Sequence, residues 1–581
     1  MSTAILRGAL MASLICLSAV KATSPCPLFG PDLPIPTADA SLRNSLSEIL
    51  HLLHPKVANS PSNFAIDFQN TSFSIDVYSV TDQQPLSSYH HTAPTLKRNK
   101  YGTRVVNDSS IYRIGSVSKL LTAYLYLLEV GDVSFNDPVT RYVPELEAWS
   151  DEKQSALERV DWTAVTIGGL ASHMAGVPRD FPRTASSDQQ LEHLGFPPVK
   201  PVNTGYCGST IQYPCNRTAF FDAIKPLHPV EVTFETPIYS NLGYQLMAYA
   251  LENITSSKYP DILSRRLIRP LRLNSTSYFK PANTDSSVIP DASDDPWYDV
   301  EMGDAVPAGG IYSSTADLRR IGQSILAYEM LSPSQTRRWM KPVSFTADPN
   351  FAMGAPWEIA HVPSTTKRSN WIYTKGGDLG TYKSLVALLP DWGMGVTVLA
   401  AGDGASGVVS AVSNLAASEL VPFLERAAKR QAKRIYSGDY GDQRSNMTIA
   451  VQRDLPGLAV TSWYFKGRDM FESIRQMISE ASNAPGKVSM RLYPTGLKQK
   501  VGGKTMQESW RAVYELVDTT SSSPYCTPLF AVDSVTYGGV SVDEFVFHLS
   551  RDSGAQGITP SVFDARLNRQ GSDYRLILGQ L

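Results

Sequence analysis

Charge of either sign is in short excess: 53 Lys and Arg against 55 Asp and Glu leave a formal net charge of −2. No basic stripe or acidic tail stands out, which argues against nucleic acid as a partner. Cysteine is scarce, five in 581 residues. After the N-terminus no apolar run is long enough for a transmembrane helix, so no membrane span is expected. The sequence has no G-x-S-x-G, which argues against an α/β-hydrolase. It has no H-x-H-x-D-H, and His51, His54, His90 and His91 lack a supporting carboxylate pattern. Neither a metal nor another cofactor is therefore expected. Gly402 to Gly407 matches G-x-G-x-x-G between a strand and a helix. A dinucleotide site needs a second strand ending in an acidic residue, whereas here one long helix follows, so the segment reads as a strand-to-helix turn.

The N-terminus has the parts of a secretory signal peptide. Arg7 supplies the positive charge, Gly8 to Val20 is apolar and too short to span a membrane, and small residues place cleavage near Ala22. Segment 1–22 is read as the signal, and the protein is expected to be secreted. Cys16 leaves with it. Cys26, Cys207, Cys215 and Cys526 remain, an even number for an oxidising compartment. Four cysteines allow three pairings. Cys207 and Cys215 close a small loop, which leaves Cys26 with Cys526; four free thiols are the competing reading. Sequons at Asn70, Asn107, Asn216, Asn253, Asn274 and Asn446 suggest N-glycans and a eukaryotic host.

A Pro-rich lead precedes SLRNSLSEILHLL, which has helical spacing. NTSFSIDVYSVTD alternates and predicts a half-buried strand. The stretch after Ser116 is apolar almost all round and predicts a helix buried on every side. Helices and loops continue to about residue 330, and strands return between Trp371 and Ala401. The pattern predicts one sheet assembled from both ends of a large domain, with helices packed on it. The charged run ERAAKRQAKR is taken as a boundary, with a catalytic domain at 23–430 and a separate β domain at 440–581.

Ser116-Val117-Ser118-Lys119 is an S-x-x-K motif. At a helix start, positions i and i+3 share a face, so the amine approaches the hydroxyl. A serine hydroxyl needs a base, and lysine serves as one only if burial and nearby charge lower its pKa. Tyr239-Ser240-Asn241 and Lys375-Gly376-Gly377 follow downstream. This order, with TIGGLASHMAGVP and VPAGGIYSSTADLRRI around it, resembles the serine β-lactamase and penicillin-binding-protein superfamily. The branch it looks like holds class C β-lactamases, D-alanyl-D-alanine carboxypeptidases and esterases, and the chain looks like a secreted fungal β-lactamase-like protein.

The resemblance covers roughly residues 41 to 425. It implies an α+β fold: an antiparallel sheet with helices on both sides and a helical subdomain, followed by a smaller β-rich C-terminal domain. It implies that Ser116 is acylated, that Lys119 takes its proton and that Tyr239 relays it. Asn241 would orient Lys119 or a substrate amide. Lys375 would stabilise charge or hold a substrate carboxylate. The backbone N–H groups of Ser116 and Asp378 would form the oxyanion hole. Three positions depart from the family pattern: Ala175 where Ser is usual, Gly376 where Thr is usual, and Asp378 in place of a small hydroxyl residue. An acidic Asp378 is expected to disfavour a substrate carboxylate. Three functions fit: a hydrolase of small esters or amides, an acyl transferase on the same acyl-enzyme, and a non-catalytic binding protein on a retained fold.

Overall fold

A computed structural model describes residues 30–53, 66–149, 155–180, 191–198, 216–290, 296–364, 368–479, 487–503, 505–517, 530–550 and 554–571. Segment 1–22 and Cys26, Cys207, Cys215 and Cys526 lie outside the described residues. Contacts divide the chain into two units. One holds 38–362 and 371–420; the other holds the lead up to Thr37, Pro363–Asn370 and everything from Val421.

The first unit is built on an eight-stranded sheet. Its strands are β1 Ser72–Ser79, β2 Ser87–His91, β3 Ser344–Phe345, β4 Phe351–Met353, β5 Glu358–Pro363, β6 Ser369–Leu379, β7 Tyr382–Leu389 and β8 Met394–Ala401. The order is β2-β1-β8-β7-β6-β5-β4-β3. The first strand thus pairs with the last, antiparallel, from Ser72 opposite Ala401 to Ser79 opposite Met394. Both ends of the domain meet in one sheet, as the sequence pattern predicts.

The helices that matter here are α1 Ala40–His51, α2 Ser118–Glu129, α3 Leu242–Thr255, α4 Thr315–Leu326 and α5 Ala405–Leu415. On β1, Val77 faces Leu46 of α1 and Val412 of α5, while its neighbour Tyr78 packs at Gly322 of α4. Successive strand residues point to opposite faces, so helices cover both sides. All eight residues of β1 are buried. The half-buried strand expected from alternation is corrected here: the alternating serines and Asp76 are covered too. Asp76 pairs with the buried Arg319 of α4 and accepts a hydrogen bond from Ser88. Helix α2 is buried from Ser118 through Leu128, as its all-round apolar surface requires.

Among its described residues the second unit contains α6 Val421–Tyr436 and a nine-stranded sheet, of which eight strands close into an antiparallel barrel. Closure comes from Asn446–Val451, which pairs with both Gly438–Gly441 and Leu458–Phe465. Closing a sheet removes its exposed edges. The unit is β-rich, but MFESIRQMIS, inside the segment read as a β domain, forms a helix, α7 Met470–Ser479.

The charged run read as a boundary lies inside α6. Val421, Leu424, Glu425, Ala428, Ala432 and Tyr436 are buried at helical spacing and the charges take the other face. The helical run Ala405–Tyr436 is long and apolar enough to cross a membrane, contrary to the expectation that no such run follows the N-terminus. Its apolar side chains, among them Val408, Val412, Leu415 and Leu424, are buried in the protein, as in a core helix.

The Pro-rich lead belongs to this second unit. Thr37 N–H donates to Gln431 Oε1 at 2.7 Å, and Gln431 Nε2 donates to Ile35 O at 3.1 Å. Asp32 and Arg368, both nearly fully buried, pair at 3.2 Å. All six sequon asparagines are exposed.

Candidate active site

The backbone enters the site through a single turn, Gly115–Val117, that leads into α2. Gly115 has φ +49°, and a Cβ there would lie 2.6 Å from the amide nitrogen of Asp378. On the facing strand β6, a Cβ on Gly377 would lie 2.2 Å from Ile114 O and 3.1 Å from Ser116 N. Both positions must therefore lack a side chain for the amides of Ser116 and Asp378 to approach one another. Ser384 on β7 fixes this crossing by donating its hydroxyl to Ile114 O at 2.7 Å.

Ser116 is half-buried and Lys119 is fully buried. Lys119 Nζ lies 2.5 Å from Asn241 Oδ1, 2.6 Å from Ala308 O and 3.2 Å from Ser116 Oγ. Burial, and next the nearby Lys375, hold the Lys119 amine well below the usual lysine range. A neutral amine has two N–H donors and one lone pair. In the neutral form the two short contacts would take the donors and leave the lone pair for the Ser116 hydroxyl. Tyr239 Oη donates to Ser116 Oγ at 2.6 Å. Burial pushes the Tyr239 phenol above its ordinary range, so it stays protonated.

Tyr239 and Asn241 precede α3 and are held from below. His173 has φ +62°, accepts the Ser240 N–H on Nδ1 at 3.1 Å, and stacks on the Tyr239 ring at 4.4 Å. Burial keeps this imidazole neutral. Asn241 Nδ2 donates to Asp180 Oδ1 at 2.6 Å, which aims its oxygen at Lys119.

Lys375 reaches the same ring, and its charge is already paired. Its Nζ donates to Glu358 Oε1 at 2.5 Å and to Gly376 O at 2.9 Å, and its side chain is 1% exposed. Glu358 Oε2 accepts the Gly376 N–H at 2.9 Å and lies 3.4 Å from where a Cβ on Gly376 would be. Glu358 thus takes the space beside the glycine that replaces the usual Thr. Asp378 also differs from expectation. It is 71% exposed and pairs at 2.5 Å with Lys383, its cross-strand partner. That pairing offsets the negative charge beside the oxyanion hole, so the repulsion expected from Asp378 is reduced.

Motif reading missed Glu358, Asp180, the carbonyl of Ala308 and Lys383. Only Lys383 left a linear signal, since a tight hairpin sets it opposite Asp378. The chain thus brings Ser116, Lys119, Tyr239, Asn241, Lys375, Gly376, Gly377 and Asp378 to one place. Among the described residues no group of three His, Cys, Asp or Glu is arranged to hold a metal ion.

A buried lysine with a lowered pKa and a tyrosine hydroxyl, both on one serine, are the features of a serine hydrolase-type enzyme. The chain belongs to the beta-lactamase family, whose model matches residues 88–417. A second family model, described as a beta-lactamase-like C-terminal domain, matches residues 428–571. A "Beta-lactamase-like protein" of Arthroderma benhamiae is 30% identical over 84% of this chain and 86% of its own length. A "Probable hydrolase" of Phoma sp. is 26% identical over 95% of this chain and 92% of its own. The octameric penicillin-binding protein homologue of Pyrococcus abyssi has a TM-score of 0.44 and 17% identity, over 86% of this chain and 96% of its own.

Proposed function

We propose that the protein is a secreted hydrolase of small esters or amides that works through an acyl-enzyme on Ser116. The observation that carries this reading is the seat of Lys119: fully buried, bound to two carbonyl oxygens, with the Ser116 hydroxyl at its remaining position. As Ser116 Oγ attacks the substrate carbonyl, its proton passes to Lys119. The carbonyl oxygen becomes an oxyanion facing the N–H groups of Ser116 and Asp378. Such donors typically contribute about 3 kcal/mol each to the transition state. When the bond to the leaving group breaks, the proton held by Lys119 passes through the Tyr239 hydroxyl, which already touches Oγ, to the departing alkoxide or amine. Water then attacks the ester on Ser116 and gives its proton to the same pair.

A panel of p-nitrophenyl esters, D-amino-acid amides and nitrocefin on purified protein tests the substrate class. A serine-directed phosphonate should add its mass to the peptide bearing Ser116, and labelling that survives in Ser116→Ala would sink the assignment. Secretion is proposed from the signal-like segment 1–22, with support from six exposed sequon asparagines. N-glycans at Asn70, Asn107, Asn216, Asn253, Asn274 and Asn446 are part of the same proposal. No nucleic acid, membrane span or cofactor enters it.

A further inference from the structure

Three basic groups surround the Tyr239 ring: Lys119 Nζ at 4.9 Å from its centre, Lys375 Nζ at 5.3 Å and the Arg179 guanidinium at 5.1 Å. Two are already engaged. Lys119 is tied to Asn241, Ala308 and Ser116, and Lys375 to Glu358 and Gly376. Both are buried. Arg179 differs, with a side chain that is 68% exposed. Its Nε donates to Asp180 Oδ2 at 3.1 Å. A guanidinium carries five N–H donors. The four on Nη1 and Nη2 have no acceptor among the described residues.

The seat of this arginine is fixed. Its backbone oxygen accepts the N–H of Asn241 at 2.8 Å, and Asp180 is held by Asn241 Nδ2. One tyrosine side chain separates the guanidinium from the nucleophile, because Tyr239 Oη touches Ser116 Oγ. The acidic groups described at this site are occupied: Asp180 by Nε and Asn241, Glu358 by Lys375 and Gly376, Asp378 by Lys383. The paired Nη edge of a guanidinium matches the two oxygens of a carboxylate.

We propose that Arg179 is a specificity-determining residue of this site: its Nη edge receives a carboxylate carried by the ester or amide substrate, a task that Glu358 denies to Lys375. This rests on the hydrolase reading above, and it names the substrate class as anionic.

The test compares p-nitrophenyl hydrogen adipate with p-nitrophenyl hexanoate, which match in chain length and differ by one carboxylate. Wild type should prefer the adipate half-ester. In Arg179→Ala the ratio of kcat/KM for the charged over the neutral ester should fall about tenfold, mainly through KM, the size expected for a partly exposed charged hydrogen bond. Arg179→Lys should lie between. An unchanged ratio, with both esters losing kcat together, would mean that Arg179 only positions Tyr239, and would overturn the proposal. A second measurement does not need turnover. Calorimetric titration of adipate into Ser116→Ala, and into the same protein carrying Arg179→Ala, should show about tenfold weaker binding in the latter. If wild type cleaves neither ester, the hydrolase reading fails, while the titration still decides the role of Arg179. Equal adipate affinity in the two proteins would overturn that role.

Discussion

Lys119 of the first unit is fully buried and Lys429 of the second is half-buried, and only Lys119 faces a nucleophile. Lys429 on α6 donates to the backbone oxygens of Gln452, Arg453 and Leu455. Lys119 on α2 has two carbonyl acceptors and a serine hydroxyl. Burial lowers the pKa of both amines. The difference lies in what is left over. Three carbonyls match the three donors of an ammonium, so Lys429 is a strut between helix and loop. Two carbonyls match a neutral amine and leave its lone pair available. A lowered lysine pKa therefore marks a site only where an unfilled position points at a reacting group.

The sharpest way to break this comparison is to exchange both lysines for Met. Lys119→Met should cut turnover by about 10²–10⁴, the range for lost general acid–base catalysis. Lys429→Met should keep wild-type turnover and lose stability, on the order of 1–3 kcal/mol for carbonyls left without donors. Steady-state kinetics and denaturant unfolding of both proteins read the contrast. Equal losses of turnover would end it. A smaller effect is expected from Tyr239→Phe, which removes the O–H that donates to Ser116. Its kcat should fall about 10²-fold, as for one positioned proton-transfer group, with little change in unfolding.

The pH profile sharpens the same point. Lys119 accepts a proton only as the neutral amine, so kcat/KM should rise with pH through its lowered pKa and fall on the acid side. The folded pKa lies below the unfolded one, so the unfolded chain binds more protons between them. In that window the contribution of Lys119 to stability rises with pH. The acid limb of kcat/KM should vanish in the residual activity of Lys119→Met, and an unaltered limb would assign it to another group.

The smallest effect on turnover concerns the cysteines. Asp32 and Thr37 of the lead pair with Arg368 and Gln431 of the barrel unit. That supports the proposed Cys26–Cys526 bond, which would close nearly the whole chain. The entropic gain is about 5 kcal/mol on paper, though measured gains usually fall short. Non-reducing peptide mapping should recover a Cys26–Cys526 peptide, and Cys26→Ser should lower thermal stability while turnover holds. Free thiols at both positions, or Cys26 joined to Cys207, would remove the bond.

Elements with a local signal were legible. Helix α2 is apolar on every side and is buried on every side. Barrel strands such as MTIAVQ, LAVTSWYF and DEFVFHL carry β-rich runs between turn residues and form there, whereas Gly438–Gly441, Gly554–Pro560 and Leu567–Arg569 carry no such run. Elements whose setting is long-range were misread. Strand β1 alternates, yet helices from residues 40–51, 315–326 and 405–415 bury both of its faces. The charges of α6 look like a linker until the alanines between them are seen to be buried.

By itself the sequence determined the candidate set. Ser116 and Lys119 sit three residues apart on one helix start, where helical geometry alone brings hydroxyl and amine together. Tyr239, Asn241, Lys375 and Gly377 were legible as motifs of fixed spacing. Tertiary structure alone decided what each of these groups has left to offer. Glu358 reaches Lys375 because two neighbouring strands place them side by side, and Asp180 reaches Asn241 across 61 positions of chain. Such partners leave no periodic trace, because strand order and loop closure, rather than local spacing, bring them together. They nevertheless set the charge of the site, for a carboxylate on Lys375 leaves Arg179 as the exposed cation beside Tyr239.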